Sequence, residues 1–340
     1  MNAIRIHKHG GPDVLQWDAI PVPEPKNGDV LVQIKAAAMN HLDIWVRTGI
    51  PGVPLPIIMG SDGSGIVHGI GESVSQFAPG DEVVIQPLVW CGKCSLCKTG
   101  RENYCTSMGI LGETENGTMA ELISVPEKNV QKKPANLNFK EAAAFSLVGQ
   151  TAYAMLVRRA KINSGETVLV WGASSGVGMT AIQIAKHFGC TVITTAGTDA
   201  KVAFAKKLGA DHVIHYKNED VASVVKELTN GTGADVIVEH VGEATWKTSL
   251  KSLAKGGRLV TCGSTTGTDV SINLRHLFFK QQSILGSTMG NVSSMDEVLK
   301  FAESGVIKPV IDSVFEMGNS ADAHRKLENG EAFGKIVLIP

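Results

Sequence analysis

Four cysteines lie within fifteen residues in the segment WCGKCSLCKTGRENYC, residues 90–105, at the spacing Cys91-x2-Cys94-x2-Cys97-x7-Cys105. Four thiolates on one short loop can enclose a tetrahedral zinc ion and leave no open coordination position, which is typical of a structural site. An iron–sulfur cluster is the main alternative, but the compact ferredoxin pattern has its fourth cysteine after three residues, next to a proline. Unliganded thiols are the remaining interpretation. The spacing favours one structural zinc ion.

A second chemical signal is the segment TVLVWGASSGVGMTAIQIAKHFG, which runs from strand to glycine turn to helix. Backbone N–H groups and the helix dipole at a helix start can hold a pyrophosphate, and glycine lets the backbone approach it closely. The strict G-x-G-x-x-G fingerprint is absent, and an ordinary tight turn is the competing interpretation. The place of the glycine turn in a repeated strand–helix unit favours dinucleotide binding. The residues expected to bind the dinucleotide there are Ser174, Ser175, Gly176, Val177 and Gly178.

The end of the following strand, in TVITTAGTDAK, bears on which dinucleotide binds. An NAD site usually has an acid there, and a carboxylate would repel the 2′-phosphate of NADP. Here the strand ends at Ala196 and Gly197, and Lys201, one turn later, could neutralise a phosphate. Asp199 argues for NAD, unless it only charges the first turn of the next helix. The pattern favours NADP(H), with NAD(H) as the alternative.

The surrounding sequence predicts the elements that position these groups. The first ~125 residues contain short strand-like pieces such as DVLVQIKAAA and DEVVIQPLVW, separated by turns. From about residue 165, apolar strands alternate with helices expected at about Gly176–His187, Asp199–Leu208 and 219–229. SSMDEVLKFAESG predicts a further helix and GKIVLIP a closing strand. The fold class is therefore α/β, with a doubly wound parallel sheet inserted into a β-rich domain.

Composition limits the partners. The chain has 340 residues, a formal net charge of -1 and 43% hydrophobic residues, so it has no broad positive field for nucleic acid or an anionic membrane. We find no signal peptide and no membrane span. The expected location is the cytoplasm, where thiols stay reduced and clustered cysteines more often bind metal than form disulfides.

The chain resembles the medium-chain dehydrogenase/reductase superfamily, which contains zinc alcohol dehydrogenases and quinone oxidoreductases. The motifs are the cysteine segment, APGDEVV before it, GQTAY, WGASSGVG, GGRLVTCG and the terminal GKIVLIP, in this order. The resemblance implies a GroES-like catalytic domain at 1–147, with the cysteine lobe at 90–106. It further implies a Rossmann NAD(P)-binding domain at 148–288 and a C-terminal segment, 289–340, that returns to the catalytic domain.

Alcohol dehydrogenases of this family hold a second, catalytic zinc through a Cys, a His in a G-H-E motif, and a third Cys or acid. At these positions the chain has Asn40, Ser61 followed by Asp62, and Leu147. Asn, Ser and Leu cannot hold zinc as Cys and His do. The resemblance therefore implies that the catalytic zinc is missing, as in the quinone oxidoreductase and enone reductase branches.

The resemblance also implies the contacts to the cofactor. They are Asn40 and Thr151 near the nicotinamide, Lys201 and Tyr216 around the 2′-phosphate, Lys335 at the pyrophosphate, and Gly263 in GGRLVTCG. Ordinary packing or surface roles are the alternative for Tyr216 and Lys335.

Without a zinc Lewis acid, electron-poor acceptors are the easier hydride targets. We therefore expect NADPH-dependent reduction of quinones or of α,β-unsaturated carbonyl compounds, including enoyl thioesters, with Asn40 as a polar orienter of the substrate. Asp43 is a candidate acid, although a structural hydrogen bond is the favoured explanation for it, and solvent can deliver the proton.

Two other functions stay open: an alcohol dehydrogenase with unrecognised ligands, and an NADP(H)-binding protein with little turnover. By analogy with the family, the segment SILGSTMG is expected to form an edge strand that pairs with a second copy in a homodimer or homotetramer.

Overall fold

The computed structural model describes all 340 residues, and the chain forms two compact units. The first unit contains Met1–Leu147, Asn291–Ser304 and Pro309–Pro340, and the second contains Val148–Gly290 and Gly305–Lys308. None of the helices combines the length and apolar character needed to cross a lipid bilayer.

The first unit is built mainly from strands. In chain order its elements before the second unit are β1 (Asn2–Ile6), β2 (Leu15–Ala19), β3 (Asp29–Ala38), α1 (His41–Thr48), β4 (Ile57–Ile58), β5 (Asp62–Ile70), β6 (Glu82–Ile85), β7 (Leu88–Val89), α2 (Ser95–Lys98), β8 (Gly109–Ile110), β9 (Leu122–Pro126), β10 (Val130–Lys132) and α3 (Phe139–Ala143). The next helix, α4 (Ser146–Tyr153), contains the boundary between the units and continues as a π-helix, Ala154–Arg159.

The second unit alternates strands and helices as the sequence predicts. Its elements are β11 (Thr167–Val170), α5 (Gly176–His187), β12 (Thr191–Ala196), α6 (Asp199–Lys207), β13 (His212–His215), α7 (Val221–Leu228), β14 (Ala234–Glu239), α8 (Glu243–Ser252), β15 (Leu253–Thr261), α9 (Leu274–Phe279) and β16 (Ser283–Gly286). The strands form one parallel sheet in the order β13-β12-β11-β14-β15-β16. This is the doubly wound Rossmann arrangement, which confirms the predicted fold class.

The remaining elements return to the first unit. They are α10 (Val292–Glu303), β17 (Ile311–Glu316), α11 (Ser320–Glu328) and β18 (Lys335–Ile339). β18 enters the main sheet of the first unit, whose order is β10-β6-β5-β3-β18-β17, with β9 also paired to β3. The predicted helix in SSMDEVLKFAESG and the closing strand in GKIVLIP are both confirmed.

Three neighbouring strands of this sheet position the candidate catalytic residues. Ala38, at the end of β3, pairs with Asp62 at the start of β5 and, on its other side, with Val337 of β18. Ala36, Ala38 and Val337 pack with two alanines of the α3 region in a buried cluster. The small side chains let the backbone segments lie close together. Residues just outside these strand ends are therefore held side by side.

The helices α1 and α2 were not predicted, because the sequence analysis assigned only strands to the first ~125 residues. α1 has eight residues, about two turns, which is too short for a 3.6-residue periodicity to stand out from the strand signals around it.

Candidate functional site

The four cysteines of the lobe converge on one point. The Sγ atoms lie 3.4 Å apart between Cys94 and Cys97 and 3.9 Å apart for the pairs Cys91–Cys97 and Cys94–Cys105, and all four lie within 4.8 Å of one another. These separations exclude disulfides, whose sulfur atoms are about 2.05 Å apart. They are close to about 3.8 Å, the distance between two sulfur atoms in a tetrahedral site with Zn–S bonds of ~2.3 Å. The residues therefore fit a zinc ion held by thiolates alone.

Backbone N–H groups favour the thiolate form in part of the lobe. The N–H groups of Cys94 and Cys91 point at the sulfur atoms of Cys91 and Cys105, respectively, at 3.4 Å. The N–H groups of Lys93 and Cys94 lower the pKa of Cys91 to about 6, which favours its thiolate, whereas burial raises the pKa of Cys97 to about 12.

The lobe is also tied to α10. Asn291 Nδ2 donates to the carbonyl of Gly100 at 2.7 Å, and the buried Glu102 accepts the N–H of Val292 at 3.2 Å. A metal that folds the lobe therefore also secures the start of this helix.

A second cluster lies where β3, β5 and β18 meet. The Nδ2 atom of Asn40 donates to Asp62 Oδ2 at 2.9 Å, and Lys335 Nζ lies 2.5 Å from Asn40 Oδ1 and 3.2 Å from Asp62 Oδ2. The other Asp62 oxygen accepts the backbone N–H of Leu147 at 2.8 Å. Asn40, Asp62 and Lys335 are at most 6% exposed. The cluster is a buried, hydrogen-bonded ion pair that encloses one amide side chain.

Asp43 belongs to the same cluster through the backbone. It lies in the first turn of α1, and its Oδ2 accepts the backbone N–H of Asn40 at 2.7 Å. Burial raises the pKa of Asp43 to about 7, although the Asn40 N–H and the Lys335 ammonium act in the opposite direction. Its carboxylate thus supports the position of Asn40 at the helix start.

The cluster does not offer a ligand set for a catalytic zinc. Asn40 and Asp62 both accept hydrogen bonds from the Lys335 ammonium, and Leu147 has no donor atom in its side chain. The Ser61 hydroxyl is buried and bonds to no other group. A cationic ammonium already compensates the one carboxylate of the set, so these residues fit a lysine ion pair and do not fit a metal.

The Lys335 side chain is buried in the first unit, and its expected contact with a pyrophosphate stays a prediction. It is 2% exposed, and its ammonium is engaged with Asn40 and Asp62. A buried ammonium is stable only when it is paired, which explains why the lysine turns into the first unit. Asp62 was not among the predicted site residues; the signal that could have identified it is the acid in the G-S-D tripeptide at the position that the resemblance assigns to G-H-E.

In the second unit the glycine turn follows β11. Ser175 caps α5 by accepting the N–H of Gly178 at 2.9 Å. A Cβ atom at Gly178 would lie 2.2 Å from the Gly172 carbonyl oxygen, so this position requires glycine. The N–H groups of Ser174, Gly176 and Val177 are left without a protein acceptor. They therefore form a cradle for an anion at the N-terminus of a helix of twelve residues.

The end of β12 carries the residues expected near a 2′-phosphate. Gly197 lies directly beneath Tyr216, since a Cβ atom there would be 2.4 Å from the tyrosine hydroxyl, and Tyr216 is half-exposed. Thr198 caps α6 by accepting the N–H of Lys201 at 3.3 Å. Asp199 is in the first turn of this helix, with a fully exposed carboxylate. The structure therefore brings Gly197, Lys201 and Tyr216 to one edge of the sheet.

The two other expected cofactor contacts are in the second unit. Thr151 is buried in α4, and Gly263 follows β15, where its carbonyl accepts the Thr261 hydroxyl at 3.1 Å.

Family comparisons agree with both units. The family model described as "Alcohol dehydrogenase GroES-like domain" matches residues 26–135, and the one described as "Zinc-binding dehydrogenase" matches residues 176–304. A crystal structure of an NAD-dependent alcohol dehydrogenase is 46% identical, with a TM-score of 0.97 and complete coverage of both chains.

Two curated relatives differ in their named activities. The NAD-dependent alcohol dehydrogenase of Sulfurisphaera tokodaii is 33% identical over 351 residues, in an alignment that covers all of both chains. The quinone oxidoreductase of Homo sapiens is 32% identical over 350 residues, covering all of this chain and 98% of its own. The relatives are therefore oxidoreductases, but they do not share one substrate.

Proposed function

The chain belongs to the medium-chain dehydrogenase/reductase superfamily of NAD(P)-dependent oxidoreductases, and on that premise we propose that it reduces electron-poor acceptors with NADPH and without a catalytic zinc. The acceptors are quinones and α,β-unsaturated carbonyl compounds, including enoyl thioesters. The observation that carries the proposal is the buried cluster of Asn40, Asp62 and Lys335, in which an ammonium compensates the carboxylate and no metal ligand set exists.

The chemistry follows from this cluster. When bound, the nicotinamide supplies the hydride. Negative charge then develops on the acceptor oxygen and, in a quinone or a conjugated carbonyl, spreads over several atoms. An amide N–H can stabilise such a diffuse oxyanion. Asn40 fills this role. Asp43 supports Asn40 through its backbone N–H, and the proton comes from solvent.

The cofactor preference rests on the end of β12. Gly197 leaves no carboxylate to repel a 2′-phosphate, and Lys201 and Tyr216 lie at the same edge. The Asp199 carboxylate is fully exposed and lies 3.8 Å from His215 Nε2, so its charge is well screened. These features favour NADP(H), bound with its pyrophosphate at the turn of Ser174, Ser175, Gly176, Val177 and Gly178.

The proposal includes one structural zinc, held by Cys91, Cys94, Cys97 and Cys105. The thiols must stay reduced to bind it, and we therefore propose a reducing compartment, the cytoplasm, as the location.

Alcohol dehydrogenase activity is the second candidate, because the 46% identical solved structure and the Sulfurisphaera tokodaii relative carry that name. The two functions separate in an NADPH and NADH oxidation panel with a benzoquinone, a cyclic enone, a crotonyl thioester and an aldehyde. The proposal expects turnover of at least one of the first three, with the aldehyde much slower. Aldehyde reduction alone would favour the second candidate, and no turnover would favour a binding protein.

The proposed assembly is a homodimer or homotetramer formed through β16. This strand pairs only with β15, so its outer edge is open. Beside it in the chain, Leu274, Phe278 and Phe279 of α9 are 66–73% exposed. Light scattering of the wild type and of Phe278→Glu tests this proposal, since a monomeric wild type would overturn it.

A further inference from the structure

The side chain of Asn40 lies between two opposite charges. Its oxygen faces the Lys335 ammonium at 2.5 Å, and its nitrogen faces the Asp62 carboxylate at 2.9 Å. We infer that Lys335 and Asp62 are positioning residues that lock the Asn40 amide in one orientation, so that its second N–H is the donor for a substrate oxygen. This inference rests on the proposed function and concerns how the same site would bind the oxygen of its acceptor.

The orientation follows from electrostatics. A carboxamide can rotate by 180°, which exchanges its acceptor and donor ends, and only its neighbours decide between the two. In the reversed orientation the NH2 group would face an ammonium and the oxygen would face a carboxylate. Both contacts would be repulsive in a buried environment, where charges are poorly screened. The ion pair therefore permits one orientation.

The fold fixes the three groups relative to one another. Asp62 begins β5, Asn40 follows β3 by two residues, and Lys335 begins β18. These strands are adjacent in the sheet order β5-β3-β18. The Asp62 carboxylate is held from its other side by the N–H of Leu147, and the Asn40 backbone N–H is held by Asp43. The amide is thus attached to a rigid sheet at both its side chain and its backbone.

The hydrogen-bond inventory leaves one donor. A carboxamide nitrogen carries two protons, and Asp62 accepts one of them. The ammonium on Oδ1 withdraws electron density from the amide, which strengthens the remaining N–H as a donor and weakens the oxygen as an acceptor. The site therefore suits a carbonyl oxygen, which only accepts a hydrogen bond, better than an alcohol hydroxyl, which must also donate one.

The kinetic test uses variants that break the lock. Lys335→Met leaves Asp62 uncompensated and endangers folding, so the principal variant is the double substitution Lys335→Met/Asp62→Asn, which removes both charges of the ion pair. We expect kcat with the accepting quinone or enone to fall about tenfold or more, while the Kd for NADPH, followed by its fluorescence, stays unchanged. Lys326→Met is the matched control, since Lys326 pairs with Asp312 elsewhere in the first unit. It should keep wild-type kcat.

The inference requires that the fall in kcat of the double variant arises from the changed orientation of Asn40. In an Asn40→Ala background the same double substitution should reduce kcat by less than about twofold more. Full additivity would show that Lys335 and Asp62 act elsewhere. A rise in the Kd for NADPH of about tenfold with unchanged kcat would also overturn the inference, since it would assign Lys335 to the cofactor.

A measurement without substrate separates this inference from the proposed function. In a 15N–1H spectrum of side-chain amides, with Asn40 identified by its disappearance in Asn40→Ala, one Nδ2 proton should be protected from exchange and the other should not. Lys335→Met/Asp62→Asn should remove the difference. Two protons that exchange alike in the wild type would overturn the inference even if reduction is observed. The predicted pattern would support it even if no acceptor turns over.

Discussion

The Nζ atom of Lys335 and the Oδ2 atom of Asp62 lie 3.2 Å apart, with side chains that are 2% and 0% exposed. Removing one member of such a pair leaves the other charge buried without compensation, which costs about 3–5 kcal/mol. We therefore expect Lys335→Met to lower the free energy of unfolding by that amount in urea titrations. Lys335→Met/Asp62→Asn should recover part of the loss. Lys300→Met is the control, because it removes an exposed pair with Glu297. It should lower the free energy of unfolding by less than about 1 kcal/mol. An equal loss of stability in Lys300→Met and Lys335→Met would contradict the account.

Cys94→Ser tests the zinc lobe. Loss of one thiolate opens the site, so we expect the zinc content to fall towards zero and the free energy of unfolding to fall by ~3 kcal/mol or more. Cys190→Ser is the control, because Cys190 is buried in the second unit and its thiol donates to Asn163 at 3.4 Å, a bond that serine can replace. A Cys94→Ser protein that stays fully stable while losing turnover would show that the lobe is not structural.

Asp43 predicts a pH dependence of stability. Its folded pKa is about 7 and its ordinary value is 3.8, so the folded state binds the proton more tightly. Its contribution is fully present below about pH 4 and is lost as the pH rises through about 7. Between these limits the unfolding free energy of the wild type should fall relative to Asp43→Asn by up to about 4 kcal/mol. Urea titrations of both proteins across this pH range measure the difference in unfolding free energy. A difference that stays constant with pH would refute the raised pKa of Asp43.

Lys201→Ala tests the cofactor preference. Removing a cation beside a 2′-phosphate should raise the Kd for NADPH about tenfold and leave the Kd for NADH unchanged. Lys207→Ala, in the last turn of the same helix, should change neither. Fluorescence titrations of the wild type and both variants with each nucleotide give the six dissociation constants. Equal weakening for NADH and NADPH, or tighter binding of NADH by the wild type, would argue against the 2′-phosphate site.

The second unit was predictable from sequence because its signals are local. Apolar strands and capped helices follow one another, and α5 spans Gly176–His187 as expected. The four cysteines lie within one loop, so their spacing alone indicated a common site. The cluster at Asn40 was not predictable in the same way. Asp62 is 22 residues from Asn40, and Lys335 is 273 residues from Asp62. Only the register of β5, β3 and β18 brings them together, and sequence periodicity does not specify that register.

The central claim is that the chain keeps a structural zinc and works without a catalytic one. Zinc analysis of freshly purified protein that is active with NADPH and a quinone or enone tests this claim most directly. We expect about one zinc per chain in the wild type, and about none in any Cys94→Ser protein that can be isolated. About two zinc ions per active wild-type chain would contradict the claim, because the second ion would require a ligand set that Asn40, Asp62 and Lys335 do not provide.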